Sequence, residues 1–280
     1  MNRTARIART LLRPERIVQA VIRKLKLGSF ESRVDFDAFP RPWFAYCLWH
    51  AARVAHRLGL PKLSAIEFGV AGGAGLSDLE NLVEEIERCV PVKFEIYGFD
   101  LGSGLPMPSD YRDLPYAWRA GFYSMDEAAV RRKLKRSVLV IGNVRDTVPE
   151  FLAKYQPAPI GFISFDLDYY SSTRDAFALF DGPHRFFLPR VLCYFDDIIG
   201  CDSQLHTEFT GGLLAIREFN DAHADQKLCK VQGLAAKRPF DCSWADMIYA
   251  LHRFGHEQYD AYVGSPESRY LPGEASPAAS

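Results

Sequence analysis

The chain has 280 residues, 48% of them hydrophobic and 25% charged, and its 34 Lys and Arg against 35 Asp and Glu leave a formal net charge of -1. That balance excludes a chain dominated by disorder, which needs fewer apolar residues and more net charge, and it excludes nucleic-acid binding by bulk positive charge. Apolar runs such as 138–141 and 191–195 fall far short of the roughly 20 residues that cross a bilayer. One large domain, alone or with a small helical appendage, is the expectation.

Residues 1–27 hold eight Lys or Arg and one acid, Glu15, and Ile7, Leu11, Val18, Ile22 and Leu25 recur there at helical spacing. Such a stretch reads either as a basic amphipathic helix contacting an anionic membrane or as a helical extension packed on its own domain or on a second copy in a homodimer. The second reading is the plainer, because no Trp or Phe precedes Phe30. Residues 1–60 are therefore read as an N-terminal basic and helical extension, 61–264 as the main domain, and 265–280, rich in Ser, Pro, Ala and Glu, as a disordered tail. The six cysteines (Cys47, Cys89, Cys193, Cys201, Cys229 and Cys242) form no CxxC pair. With no secretory segment at the start, reduced thiols in a cytoplasmic protein are expected.

The middle of the chain alternates. A helix over 43–58 and a break at 59–61 precede a strand over 63–68, a glycine-rich turn over 69–75 and a helix over 76–88. Strands over 94–99, 138–141, 160–165 and 191–195 follow, with helices over 125–134, 173–180 and 213–223 and a mixed stretch over 245–254. Short apolar strands separated by helices predict an α/β fold, a Rossmann-like, doubly wound and mostly parallel sheet with helices on both faces. Ligands of such sheets lie beyond the carboxyl ends of the strands, so the residues just after each strand are the ones to inspect.

The first strand leads into Glu67-Phe68-Gly69-Val70-Ala71-Gly72-Gly73 and the second into Asp100. Glycines admit a ligand close to the backbone, and a carboxylate after the second strand suits a ribose diol. This pair fits NAD, FAD or S-adenosylmethionine, although no GxGxxG is present. The fourth strand ends in Asp166-Leu167-Asp168 and the fifth in Asp196-Asp197. If those strands are neighbours the acids converge, and a hard divalent cation (Mg²⁺, Mn²⁺ or Ca²⁺) relieves their repulsion. Alternatively some of them cap helices or face water, Asp168 before the helix near Thr173; the segment over 142–149 after the third strand reads either as the lining of a nucleoside pocket or as a helix start capped by Asp146. His184 and His206 flank the acidic strand ends as further candidates, and the aromatic loop over 111–123, with Trp118 and Phe122, is expected either to cover a pocket or to pack under itself.

These pieces in this order resemble class I S-adenosylmethionine-dependent methyltransferases, and more narrowly the macrocin O-methyltransferase family, which methylates sugar hydroxyls. The resemblance runs over about 130 residues: Glu67-Phe68-Gly69-Val70 with Gly73, Phe99-Asp100 with Gly104-Leu105-Pro106, Gly142 with Asp146-Thr147-Val148-Pro149, Asp166-Leu167-Asp168 with Tyr170 and Ser172-Thr173, and Asp196-Asp197. It implies that Glu67, Gly69, Val70 and Gly73 hold the methionine end of the cofactor, that Asp100 binds its ribose, and that Val144 and Arg145 lie near the adenine. It also implies that Asp166, Asp196 and Asp197 bind Mg²⁺ and that Asp168 is the general base. The acceptor implied is a hydroxyl of a sugar, glycan or other small polyol. This sequence departs from the family's usual pattern at Leu167, Ser171 and Ile198 and in the run Leu101-Gly102-Ser103. Three other readings compete: a cofactor-binding protein of this fold without activity, a nicotinamide- or flavin-dependent oxidoreductase on a similar sheet, and a metal-dependent hydrolase, which would ordinarily add His ligands to the acids.

Overall fold

The computed structural model describes residues 14–264. Seven strands, β1 (Lys62–Phe68), β2 (Lys93–Asp100), β3 (Val138–Ile141), β4 (Ile160–Phe165), β5 (Phe187–Phe195), β6 (Gln226–Lys230) and β7 (Ile248–Arg253), form one sheet of order β3-β2-β1-β4-β5-β7-β6. The first five pair in parallel, and β7 pairs antiparallel with both β5 and β6. The chain winds outward from β1 to β3 and then crosses back to β4, so its direction reverses between β1 and β4. That reversal opens a crevice at the carboxyl ends of these strands.

Helices α1 (Pro14–Leu25), α2 (Phe30–Asp35), α3 (Pro42–Arg57), α4 (Ala74–Cys89), α5 (Glu127–Lys133), α6 (Val144–Tyr155), α7 (Tyr170–Ala176) and α8 (Gly211–Ala222) complete the described residues. α2, α3 and α4 pack together on one face of the sheet, while α6, α7 and α8 form a row on the other. Strands covered on both faces are buried along their length and mostly apolar: β4 is buried at all six positions and β1 at every position after Lys62, with Ser64, Glu67 and Ser164 their buried polar residues. Phe30, Val34, Phe44 and Leu48 of α2 and α3 share a single core with Ile66, Phe162 and Cys193 of the sheet, so the helical residues before 60 are part of what buries it. All six cysteines are free thiols. No helix among the described residues is long and apolar enough to cross a membrane.

One row of side chains sets the level of the crevice. Phe99, Phe68, Phe165 and Phe195 stand on β2, β1, β4 and β5 and pair in register, Phe68 with Phe99 and Phe165, and Phe165 with Phe195. Their rings lie 4.7, 5.3 and 4.7 Å apart in turn, and none is more than 2% exposed. The residues that follow these four rings are Asp100, Gly69, Asp166 and Asp196.

Several elements differ from the sequence reading. The helix predicted over 173–180 ends at Ala176 and continues as a 3-10 turn, Phe177–Asp181. That turn points Phe177 and Phe180 into the core, where both meet Phe165 and Phe219. The mixed stretch over 245–254 resolves into a 3-10 turn, Ser243–Met247, and β7. β6 has no counterpart in the sequence reading, because QKLCK on a sheet edge buries only Gln226 and Leu228. Residues 1–13, including Ile7 and Leu11, and the tail over 265–280 lie outside the described residues.

Glu80 of α4 anchors the approach to β3. It is 4% exposed. Its carboxylate accepts from the backbone N–H groups of Lys135 at 3.0 Å, Arg136 at 2.8 Å and Ser137 at 2.8 Å, and from the Ser137 hydroxyl at 2.8 Å. Burial pushes the carboxyl pKa up, but these donors outweigh it and hold the pKa below the usual value. A carboxylate with a lowered folded-state pKa contributes stability above its unfolded pKa, about 4.3, and loses it as pH falls through the folded value. Glu80→Gln should therefore destabilise the protein by about 1.5–3 kcal/mol at pH 7, with the gap to wild type narrowing in acid. Thermal melts at pH 7 and pH 3.5 check this, and equal midpoints at pH 7 would contradict it.

Candidate active site

The crevice encloses a cavity of about 440 Å³, within the range that holds one drug-sized ligand. One wall begins at the turn after β1. Gly69 sits at φ +86, and a Cβ there would lie 1.7 Å from the Asp166 carbonyl oxygen. Only glycine permits this approach. Around it the Gly69 N–H donates to the Phe99 carbonyl at 2.9 Å, and the Asp166 N–H donates to the Phe68 carbonyl at 2.9 Å. The carboxyl ends of β1, β2 and β4 are thereby tied together.

Asp100 also lines the cavity. Its Oδ2 accepts from the N–H groups of Val70 at 3.0 Å and Ala71 at 2.8 Å, and its Oδ1 accepts from Gly102 at 2.6 Å. It therefore braces the turn after β1 as well as facing the cavity, and Oδ1 keeps one lone pair for a ligand hydroxyl. Val144, at the start of α6, stands on the same wall with Gly142 and Asn143. Arg145 is exposed and does not line the cavity. The cap of α6 is Asn143, whose Oδ1 accepts the Arg145 N–H at 3.0 Å, and Asp146 lies inside the first turn instead.

Glu67, Val70 and Gly73 lie beneath this wall rather than on it. Glu67 is 3% exposed, and its Oε1 sits where a Cβ on Gly75 would be, 1.8 Å away. Burial, then the nearby charge of Asp166, pushes its carboxyl well above the usual range, and its Oε2 has no partner. Gly73 caps α4 at φ +76, against Val130.

The opposite wall is acidic. Asp166, Asp196 and Asp197 each bring one carboxylate oxygen within 4.8 Å of the others. The Tyr194 hydroxyl donates to Asp196 Oδ1, and the Asp168 N–H donates to Asp197 Oδ2 at 2.9 Å. Asp168 is 8% exposed and adopts a left-handed φ of +58, a conformation that Asp tolerates better than most side chains. The sharp turn it makes leads directly into α7, whose cap position is Tyr169, so Asp168 caps no helix. Burial, and then the charges of Asp197 and Asp196, raise the pKa of Asp166. Burial and the charges of Asp197 and Asp166 raise that of Asp168. Asp197 is raised too, by burial first and then by Asp196.

A roof is made by the long loop before α5 and the loop after β5. Trp118 and Tyr123 of the first and Ile199 and Gln204 of the second line the cavity, and the Tyr116 hydroxyl donates to the Gln204 carbonyl at 2.9 Å. Tyr123 lines the cavity together with Asp166, Asp168 and Asp197, and its phenol pKa is raised by burial and then by Asp168, Asp197 and Asp166. Asp113, fully buried, docks the roof on α7. It accepts from the N–H groups of Ser109 at 2.7 Å and Ser171 at 2.8 Å and from the Ser171 hydroxyl at 2.9 Å. Arg112 adds a hydrogen bond of 3.1 Å to the Tyr170 hydroxyl, which itself donates to Glu218 at 2.5 Å. Neither Arg112 nor Asp113 stands out in the sequence, because a charged pair in a loop is commonplace. Phe122 does not reach the cavity. His184 precedes β5 at the amino end of the sheet and accepts from Arg253 at 3.2 Å, far from the role of an acid-cluster neighbour. His206 is half-buried beside Gly200 and does not line the cavity.

The acids oppose the fold that gathers them. A carboxyl whose folded-state pKa lies above its unfolded value contributes most at acid pH and loses that contribution as pH rises through the folded value. Without divalent ions, Asp166→Asn should therefore raise stability at pH 8 by about 1 kcal/mol or more, roughly 2–4 °C in Tm. The gain should disappear near pH 4. Paired thermal melts check this, and a lower Tm for the variant at pH 8 would contradict it.

No protein-family model matches the sequence, and no curated protein does. Solved structures do match. The calicheamicin methyltransferase CalS11 aligns at 22% identity over 86% of this chain and 92% of its own, with a TM-score of 0.51. The O-methyltransferase NovP aligns at 16% identity over 74% of this chain and 79% of its own, with a TM-score of 0.48. An O-methyltransferase from Bacillus cereus in complex with SAH aligns at 12% identity over 72% and 78%, with a TM-score of 0.39. With five parallel strands whose order reverses between β1 and β4, an antiparallel β7 beside β5, and the alignment to CalS11 along nearly its whole length, the chain has the fold of the class I S-adenosylmethionine-dependent methyltransferases.

Proposed function

We propose that the protein is an S-adenosylmethionine-dependent, divalent-metal-assisted O-methyltransferase that acts on a hydroxyl of a sugar or other polyol. The observation that carries this reading is the meeting of Asp166, Asp196 and Asp197 on one wall of a cavity whose other wall is the Gly69 turn and Asp100. A nucleoside fits the second wall: Gly69 offers bare backbone, Asp100 Oδ1 a free lone pair for a ribose hydroxyl, and Val144 an apolar surface for a base. Glu67, Val70 and Gly73 serve that wall from below, by holding the turn and the start of α4 in place.

The acidic wall fits Mg²⁺ or a similar ion. Its donors are hard oxygens, they repel one another when empty, and Tyr194 and the Asp168 N–H hold two of them in place. Asp166, Asp196 and Asp197 would be the ligands. Such an ion makes a neighbouring hydroxyl more acidic. The cofactor supplies a methyl group on a sulfonium, already a good leaving group. The chain's own residues orient and deprotonate the acceptor. Asp168 is placed beside the cluster to take the hydroxyl proton on its carboxylate, and burial makes it a stronger base than a solvated Asp. Trp118, Tyr123 and Ile199 limit water above it. Acceptors with adjacent oxygens suit the site best, because two oxygens can share one cation. CalS11, a calicheamicin methyltransferase, is a solved example of this fold acting in natural-product chemistry.

Transfer from S-adenosylmethionine to a panel of sugars, nucleotide sugars and catechols tests the reading. Methylation should require Mg²⁺ or Mn²⁺ and stop in a chelator that leaves S-adenosylhomocysteine binding intact. Asp168→Asn should lower kcat at least about a hundredfold with cofactor affinity unchanged. Full activity in chelator, or near-normal turnover by Asp168→Asn, would contradict it.

A further inference from the structure

We infer that α1 is an in-plane anchor for an anionic bilayer surface. The inference is independent of the proposed activity, because no residue of α1 lines the cavity.

The helix leaves its apolar side uncovered. Ile17, Val18, Val21 and Leu25 are 48%, 45%, 44% and 61% exposed, and at 3.6 residues per turn they share a stripe about 100° wide. None of them belongs to the core that α2 and α3 join. The expectation that this stripe packs on its own domain is therefore not met among the described residues. The end of the helix is nevertheless held: Lys26 pairs with Glu85 of α4 at 2.8 Å, and Ser29 caps α2 immediately after it. The apolar side is thus left half-exposed to solvent while the helix end stays tied to α4. Arg16, Arg23 and Lys24, all exposed, occupy the remaining circumference. This division into aliphatic and basic faces is that of helices lying in a membrane interface, and the 12 described residues of α1 are too few to cross one.

Charge selects the partner. Eight basic residues and one acid give residues 1–27 a charge of +7. With -1 for the whole chain, residues 28–280 carry -8. An anionic surface therefore attracts the N-terminal segment and repels the body, which favours docking through this helix alone. Arg3, Arg6, Arg9 and Arg13 precede α1 in the sequence and add to the attraction. A second copy fits less well, because a two-fold interface would set one α1 against another, and with it +7 against +7.

Flotation and sedimentation of the full chain with vesicles test this. Vesicles of phosphatidylcholine with 30% phosphatidylglycerol are compared with vesicles of phosphatidylcholine alone. Binding to the anionic vesicles should be at least about tenfold stronger and should weaken as salt rises from about 0.05 M to about 0.5 M, as surface electrostatics do. Val21→Asp with Leu25→Asp should lose at least about tenfold of that binding while circular dichroism and Tm stay at wild-type values. Arg23→Glu with Lys24→Glu should do the same by a route that leaves the apolar stripe intact. Equal binding to both vesicle types, or Asp variants that stay bound, would overturn the inference. So would a stable dimer that the same variants split in the absence of any vesicle binding.

Discussion

Four phenylalanine rings side by side across the centre of the sheet fix the height at which the candidate site residues leave it. Phe99, Phe68, Phe165 and Phe195 are in register, in contact and buried, and aromatic pairs of this kind contribute about 0.5–1.5 kcal/mol each beyond the area they bury. Because pairing is parallel, the next residue on every strand points into the same layer. That layer holds Asp100, the Gly69 turn, Asp166 and Asp196. A one-residue slip of any of these strands would turn its acid to the other face, so the aromatic row and the polar layer are one design.

The polar layer is costly to hold. Asp166, Asp168 and Asp197 are pushed toward their neutral forms by burial and by one another. Asp168 in addition occupies a left-handed backbone conformation. These are the features expected where a fold gives up stability for chemistry. The surroundings absorb the strain through apolar packing below, the Tyr194 and Asp168 N–H hydrogen bonds at the acids, and the Asp113 bracket that fastens the roof to α7.

Much of this was legible in the chain. Strands β1 to β5 are apolar runs because both faces are covered, and the acids stand out because each follows such a run. What the sequence could not supply was adjacency. That β4 lies beside β5, so that Asp166 reaches Asp196 and Asp197, depends on strand order rather than on any local pattern. The burial of Glu67 is not a local signal either: strand alternation places its side chain under the turn, against Gly75. Arg145 is exposed, and only its backbone N–H is engaged, by the Asn143 cap. The roof was readable only as aromatic; its attachment joins Asp113 to Ser171 across 58 positions, which no local spacing reports. β6 carries little sequence signal because an edge strand needs few apolar residues.

The central claim is that strand ends β4 and β5 form a single cation site beside a nucleoside cavity. Titration of the metal-free chain with Mn²⁺, followed by the electron paramagnetic resonance of the free ion, tests it most directly. The account predicts one saturable Mn²⁺ per chain, with affinity lowered at least about tenfold in Asp196→Asn, as expected when one charged ligand is removed. No saturable binding, or binding indifferent to Asp196, would contradict it.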